Sequence, residues 1–310
     1  MAIISSYSTN GMLSQITNQQ NNLYDLYNKI NSNQKYTNIS ENPLAAADLV
    51  KINKQLSEID TYLNNIQNAT TQINAQEETF STIVKRMQRL YELAVQAANT
   101  PSGEDGFKAA LSEIQQIKEN IVDLANTQYD GKYIFAGTNV TTKPFELGDD
   151  GSVTYNGTPE NNTAGYERRI EISDGVYIEL NSAGDTIFGT YDPNDPANSS
   201  GLFGVIGELE EIMTAEPMDN KAVSEHLGKI EESIKHISEI QSKHSTTASK
   251  LKMTSELLDS NKLTMQSRKA EISEVDIPSA ISELVQQNYA LQASMQAYSI
   301  ISNQSLLDYI

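Results

Sequence analysis

Three histidines, His226, His236 and His244, are the side chains best suited to metal binding or proton transfer. Their spacings of ten and eight residues place no two of them one helical turn apart, which excludes the H-E-x-x-H arrangement of helical zinc sites. The chain has no cysteine, so thiolate nucleophiles, disulfides and zinc-thiolate sites are excluded as well. His244 falls in a helical stripe of apolar residues and is interpreted as a hydrogen-bonded structural position.

Acidic residues offer a second kind of chemistry. Asp192, Asn194 and Asp195 could supply oxygen ligands to calcium, but the intervening prolines and the missing glutamate at the twelfth position favour a surface loop.

No G-x-S-x-G or P-loop sequence occurs, and we predict no catalytic site, metal or cofactor. Three glycines follow a spacing unlike that of dinucleotide-binding loops: Gly201, Gly204 and Gly207. Five carboxylates on helical stretches are interpreted as solvated: Glu208, Glu210, Glu211, Glu231 and Glu232.

The charge of the chain argues against two classes of partner. It has 22 Lys plus Arg against 41 Asp plus Glu, a formal net charge of -19, which repels phosphate backbones and anionic lipid. The densest basic pair, Arg168 and Arg169, is flanked by acids. There is no apolar run of membrane-spanning length and no recognisable cleavable signal at the N-terminus. We expect no nucleic-acid or membrane partner, and another export route if the protein leaves the cytoplasm.

Long helices are the elements that must carry any function. From Leu49 to Ala98, alternate steps of three and four residues meet apolar side chains at thirteen of fifteen positions, which is typical of a coiled coil. A similar stripe runs from Val223 to Met265, and a shorter one from Phe107 to Leu124. The sequence therefore predicts a mainly α protein, an elongated antiparallel helical bundle that resembles a coiled-coil rod.

Between residues 131 and 201 the pattern changes to short alternating runs that are rich in glycine. Asp150-Gly151 and Asp174-Gly175 each separate two such runs, which predicts two β-hairpins. We expect a small inserted β domain, and we expect the helices to fold when residues 138–200 are replaced by a short Gly-Ser linker.

Both ends of the chain combine a helical apolar stripe with very little charge. Residues 277–310 contain only Glu283 and Asp308, although an exposed helix normally shows a charged outer face. We expect these ends to be disordered in the free monomer and to become helical, paired and buried on assembly. The predicted assembly interface consists of ten residues: Leu13, Ile16, Leu23, Tyr27, Ile30, Ile281, Leu284, Leu291, Met295 and Tyr298.

Four segments resemble bacterial flagellins and hook-associated proteins, especially the hook-filament junction branch of that family. They are INSNQKYTNISENP from Ile30, RLYELAVQAANT from Arg89, LANTQYDGKYIFAGT from Leu124, and the C-terminal ALQASMQAYSIISNQSLLDYI. Two positions depart from the family pattern, because Asn33 replaces the turn glycine and Asn42 replaces the second acid of an acidic pair.

The resemblance implies a structural adaptor at the junction between flagellar hook and filament. It implies a ring-like homo-oligomer, with other hook-associated proteins, flagellin and an export chaperone as partners, and export by the flagellar type III route without a cleaved signal peptide. A flagellin-type filament subunit is the alternative, and a secreted helical effector or adhesin is a more distant one. Five segments are expected: 1–42 as an N-terminal assembly helix, 43–130 as rod helices, 131–201 as the β domain, 202–275 as rod helices, and 276–310 as a C-terminal assembly helix.

Overall fold

Seven helices dominate the computed structural model, which describes residues 2–99, 104–158, 169–180, 183–195, 198–215 and 220–307. Helix-breaking residues also predict a loop at 99–103 and a break near Pro217. Only Asn99 of that loop is among the described residues, and Pro217 and residues 308–310 lie outside them. The mainly α fold is confirmed. The helices are α1 (Ala2–Ser32), α2 (Pro43–Asn99), α3 (Glu104–Ala125), α4 (Gly184–Phe188), α5 (Gly201–Thr214), α6 (Asn220–Ser273) and α7 (Ile277–Leu307).

Within the described residues between α3 and α5, three small antiparallel sheets of two strands each are present. The two predicted hairpins are confirmed: Phe145 pairs with Tyr155 in one, and Ile170 pairs with Ile178 in the other. A third hairpin, which was not predicted from the sequence, turns at Asp130-Gly131. The strands are β1 (Gln128–Tyr129), β2 (Lys132–Tyr133), β3 (Phe145–Leu147), β4 (Val153–Tyr155), β5 (Arg169–Ser173) and β6 (Val176–Glu179).

The chain divides into two compact units. Unit 1 comprises residues 1–59 and 260–310, and unit 2 comprises residues 60–259. This division follows compactness, whereas the five segments expected from the sequence follow changes in pattern. The five segments stay a prediction.

A hydrophobic core in unit 2 joins the helices to much of the β insert. Phe145 and Phe188 from the insert are fully buried with Phe80 of α2 and Phe203 of α5. Their rings form a connected cluster: the Phe145 and Phe188 centroids lie 5.7 Å apart, and those of Phe145 and Phe203 lie 5.3 Å apart. The insert is therefore not an independent domain, because its largest side chains complete the core of the helices.

The β5–β6 hairpin is attached to α2 through main-chain atoms. The amide of Asn65 donates to the carbonyl of Glu171 at 2.8 Å, and the amides of Gln72 and Gln76 both donate to the carbonyl of Leu180 at 3.2 Å. Gln72 and Gln76 are themselves buried. Because buried amides without partners are costly, these bonds hold the hairpin in one position on the helix.

Candidate assembly interface

The connection between α1 and α2 is a structured turn in unit 1. Asn33, which stands where the family has glycine, ends α1 with φ of 54°, a left-handed conformation that asparagine tolerates. Two residues on, the backbone N–H of Lys35 donates to the carbonyl of Ser273 at 2.7 Å. That bond ties the end of α1 to the end of α6, where the chain turns into α7.

Glu41 organises the rest of this turn. Its carboxylate accepts hydrogen bonds from the Thr37 hydroxyl at 2.7 Å and the Asn38 backbone N–H at 3.1 Å, and it pairs with Lys29 of α1 at 3.2 Å. The bond from Thr37, and then Lys29, lower the pKa of Glu41 to about 2. The Asn42 side chain caps α2 by accepting from the N–H of Ala45 at 3.1 Å. Glu41 therefore stabilises the turn, and Asn42, at the position of the family's second acid, instead caps α2.

Helices α1 and α7 pack along each other within the single chain. Six of the ten predicted interface residues are half-buried at this contact side of the two helices: Ile16, Leu23, Ile30, Leu284, Leu291 and Tyr298. Only Leu26 of α1 and Ala280 of α7 are buried among the described side chains of these helices. The pair is consequently held together by a shallow apolar contact.

Each helix also has exposed apolar side chains, which we call its exposed stripe. On α7, Ile281, Val285 and Tyr289 follow one another at intervals of four residues, and Tyr289 is 69% exposed. On α1, Tyr24 is likewise 69% exposed. Among the described side chains of the two helices, the other large apolar residues that are exposed are Leu13, Tyr27, Met295, Ile300 and Ile301.

The ten predicted residues differ in exposure, and their role in assembly stays a prediction. Leu13, Tyr27, Ile281 and Met295 are exposed, whereas the other six line the contact between α1 and α7. The pattern of alternate three- and four-residue steps does not include Val285 and Tyr289, because it follows one narrow apolar seam along the helix. Repeating intervals of four from Ile281 would have found the exposed stripe of α7.

Charge is scarce on both helices. Among the residues of α1 and α7, only Asp25, Lys29 and Glu283 are charged. Within the described ranges, no helix is both long and apolar enough to cross a lipid bilayer. The stripes thus lie beside uncharged polar faces of Asn, Gln and Ser.

His226 and His244 occupy structural positions in unit 2, whereas His236 is exposed, with its Nε2 3.3 Å from the carbonyl oxygen of Thr186. The Nε2 of His226 lies 2.8 Å from the carbonyl oxygen of Val205, and His244 packs edge-on against Phe80 with ring centroids 5.3 Å apart. Burial lowers the pKa of both imidazoles. The described residues contain no group of three or more potential metal ligands.

The interpretation of Glu210 as a solvated residue is wrong. Its carboxylate pairs at 2.8 Å with Lys118 of α3, whose side chain is only 3% exposed. Burial raises the pKa of Glu210 more than the neighbouring ammonium lowers it.

Comparison with known proteins bears on the helical segments just described. The family model for the bacterial flagellin N-terminal helical region matches residues 3–140. Flagellar hook-associated protein 3 of Escherichia coli (strain K12) is 24% identical over 97% of this chain and 98% of its own length. The protein of the same name from Salmonella typhimurium is 23% identical over 95% of each chain. The resemblance to the flagellin and hook-associated family is thereby confirmed.

The fold agrees with this relationship. The flagellar junction protein FlgL from Legionella pneumophila superposes with a TM-score of 0.58 at 17% identity, covering 74% of this chain and 100% of that chain. The family match spans α1, α2, α3 and the β1–β2 hairpin. It therefore includes one of the two apolar stripes and the whole turn around Glu41.

Proposed function

We propose that the protein is a structural adaptor subunit that joins the bacterial flagellar hook to the flagellin filament. Relatives named flagellar hook-associated protein 3 match nearly the whole chain. In this role the terminal helices α1 and α7 are the assembly elements, and the five expected segments are the working parts of the subunit.

The exposed apolar stripe on the α1–α7 pair is the observation that carries this proposal. A helix pair exposed to water usually presents charged side chains on its outer faces, whereas this pair presents Tyr24, Val285 and Tyr289. Contact with other subunits would bury these side chains without burying unpaired charge. The stripe therefore fits a partner surface made of similar helices.

The proposed partners follow from that geometry and from the family. Copies of the chain form a ring through the stripes, and the ring contacts other hook-associated proteins on one side and flagellin on the other. An export chaperone covers the stripes before assembly, and export follows the flagellar type III route without a cleaved signal peptide. The role is structural and not enzymatic.

A complementation experiment tests the role directly. Cells that lack this protein and stop at the hook should regain attached filaments when it is supplied, while the purified protein stays monomeric. Tyr289→Asp should fold and be exported but attach no filament, because a carboxylate buried without a partner costs several kcal/mol.

Gln286→Asp is the matched control, since Gln286 is an exposed polar residue of the same helix outside the stripe. It should restore attachment as the unaltered chain does. Normal filament attachment by Tyr289→Asp would refute a role for the stripe.

A flagellin-type filament subunit is the second candidate, because the matched region is itself the flagellin N-terminal helical region. The two roles differ in polymerisation. Growth of long filaments from the purified protein alone would favour the filament subunit.

A further inference from the structure

A cavity of about 330 Å³ opens in unit 2 between α2, the β1–β2 hairpin and the β5–β6 hairpin. This size lies at the lower end of the range of about 300 to 1,000 Å³ that is usual for small-molecule sites. The proposed assembly role does not involve it.

The lining becomes more polar from the inside of the cavity to its edge. Ile134 and Leu180 are buried, and Ile170 is half-buried. Two tyrosines, Tyr129 and Tyr133, are half-buried and add aromatic rings to this apolar part. A ligand in the cavity therefore needs one apolar face.

Polar side chains form the exposed rim. Asn68, Asp130 and Lys132 are exposed, and within the described part of the chain their side chains form no hydrogen bond or ion pair. The negative charge of the Asp130 carboxylate is balanced by the positive charge of the Lys132 ammonium. The rim therefore offers hydrogen bonds but has no net attraction for a charged ligand.

The walls are held in place before any ligand arrives. Asn65 and Gln72 bind the main chain of the β5–β6 hairpin, as described above, and Asp130 and Gly131 adopt φ of 51° and 70° in the tight turn of the other hairpin. Fixed walls reduce the ordering that binding requires.

We propose that this cavity binds a neutral saccharide of one or two rings. A sugar ring has an apolar face of C–H groups that packs on tyrosine, and hydroxyls at its edge that bond to amides and carboxylates. A wholly apolar ligand would make no use of the polar rim, and a phosphate or a cation would find no net opposite charge there. This site is independent of the proposed function of the terminal helices.

Saturation-transfer NMR on the full chain tests the proposal. The probes are the methyl glycosides of glucose, galactose and N-acetylglucosamine, together with lactose, at millimolar concentrations. We expect saturable binding of at least one probe. Asn68→Ala should weaken that binding about fivefold by removing one hydrogen bond. Asn74→Ala, at an exposed asparagine six residues further along α2, is the matched control and should change nothing.

Tyr133→Leu provides a second variant that removes the ring but keeps an apolar side chain, with thermal unfolding as the check on folding. The absence of saturable binding by every probe would overturn the proposal. An affinity that survives both Asn68→Ala and Tyr133→Leu would overturn it too, as would displacement of the sugar by inorganic phosphate. If Tyr133→Leu unfolds, the comparison of Asn68→Ala with Asn74→Ala decides.

Discussion

The ammonium of Lys118 lies 2.8 Å from a carboxylate oxygen of Glu210, and it donates a second bond at 2.6 Å to the carbonyl of Gly151. The ring of Tyr191 lies 4.9 Å from the same nitrogen. One nearly buried cation thereby joins α3, α5 and the turn between β3 and β4. Its removal leaves Glu210 in a poorly solvated position without a counter-charge.

Lys118→Met should therefore lower the free energy of unfolding by about 3 to 5 kcal/mol, as is typical when one partner of a buried pair is removed. Chemical denaturation at pH 7 measures this loss. The deficit should shrink as the pH falls toward 5, because burial raises the pKa of Glu210 in the folded state and protonation then removes the unpaired charge. Lys243→Met, at an exposed lysine, is the control. An equal effect of the two substitutions would contradict the buried pair.

Replacement of residues 138–200 by a Gly-Ser linker should prevent unit 2 from folding, contrary to the expectation from the sequence. The replacement removes Phe145 and Phe188 and exposes Phe80, and each lost core phenylalanine costs about 3 to 5 kcal/mol. That loss is comparable to the whole stability of a typical domain, about 5 to 15 kcal/mol. Circular dichroism and dye binding to exposed apolar surface would report it.

The double substitution Val176→Ser with Tyr177→Ser is a suitable comparison, since both side chains are exposed on the same insert. It should leave unfolding unchanged. A helical, cooperatively unfolding chain without residues 138–200 would show that the shared core is dispensable.

The sequence predicts individual helices and hairpins well, but it does not predict the hydrophobic core that these elements form together. The stripe from Leu49 to Ala98 corresponds to α2, and both Asp-Gly hairpins occur where expected. The same stripe misses Ile83 and Leu90, which are fully buried because α2 has neighbours on more than one side. Contacts such as that of Phe80 with Phe135, 5.4 Å apart between ring centroids, join residues 55 positions apart and leave no periodic signal.

Limited proteolysis of the free monomer should trim both ends and leave a fragment of about residues 43–275. The α1–α7 contact buries only Leu26 and Ala280 among its described side chains, so local opening of these helices should need little free energy. Mass spectrometry of the fragments identifies the cleavage sites. Full protection of both ends in a monodisperse monomer would contradict this expectation.

Leu291→Asp should leave the melting temperature of unit 2 nearly unchanged and still abolish filament attachment. Leu291 is half-buried on the side of α7 that packs on α1, so the new charge weakens that pairing without touching the core around Phe80. Calorimetry and complementation measure the two effects. If the whole monomer unfolds, the C-terminal helix belongs to its core and the proposed assembly mechanism fails.

Thr37→Val should raise the pKa of Glu41 from about 2 toward its usual 4.5, because the Thr37 hydrogen bond is the largest single influence on this carboxylate. Lys29→Met should raise it as well, because Lys29 contributes both a hydrogen bond and its charge. Carbon-detected NMR titration of the carboxyl resonance measures both shifts. Since the folded pKa is depressed, the turn gains stability from Glu41 above pH 4.5 and loses it as the pH falls toward 2. An unchanged pKa of Glu41 in Thr37→Val would contradict the role of the Thr37 hydrogen bond.

The attachment of the β5–β6 hairpin to α2 through the carbonyls of Glu171 and Leu180 has an immunological consequence. Main-chain acceptors persist whatever side chains the hairpin carries, so its outward residues, such as Tyr177, can be exchanged while the anchoring bonds remain. An antibody that recognises this hairpin would thus be easy to escape by substitution. For the same reason, the turn at Asp174-Gly175 is a suitable place to display a foreign peptide epitope.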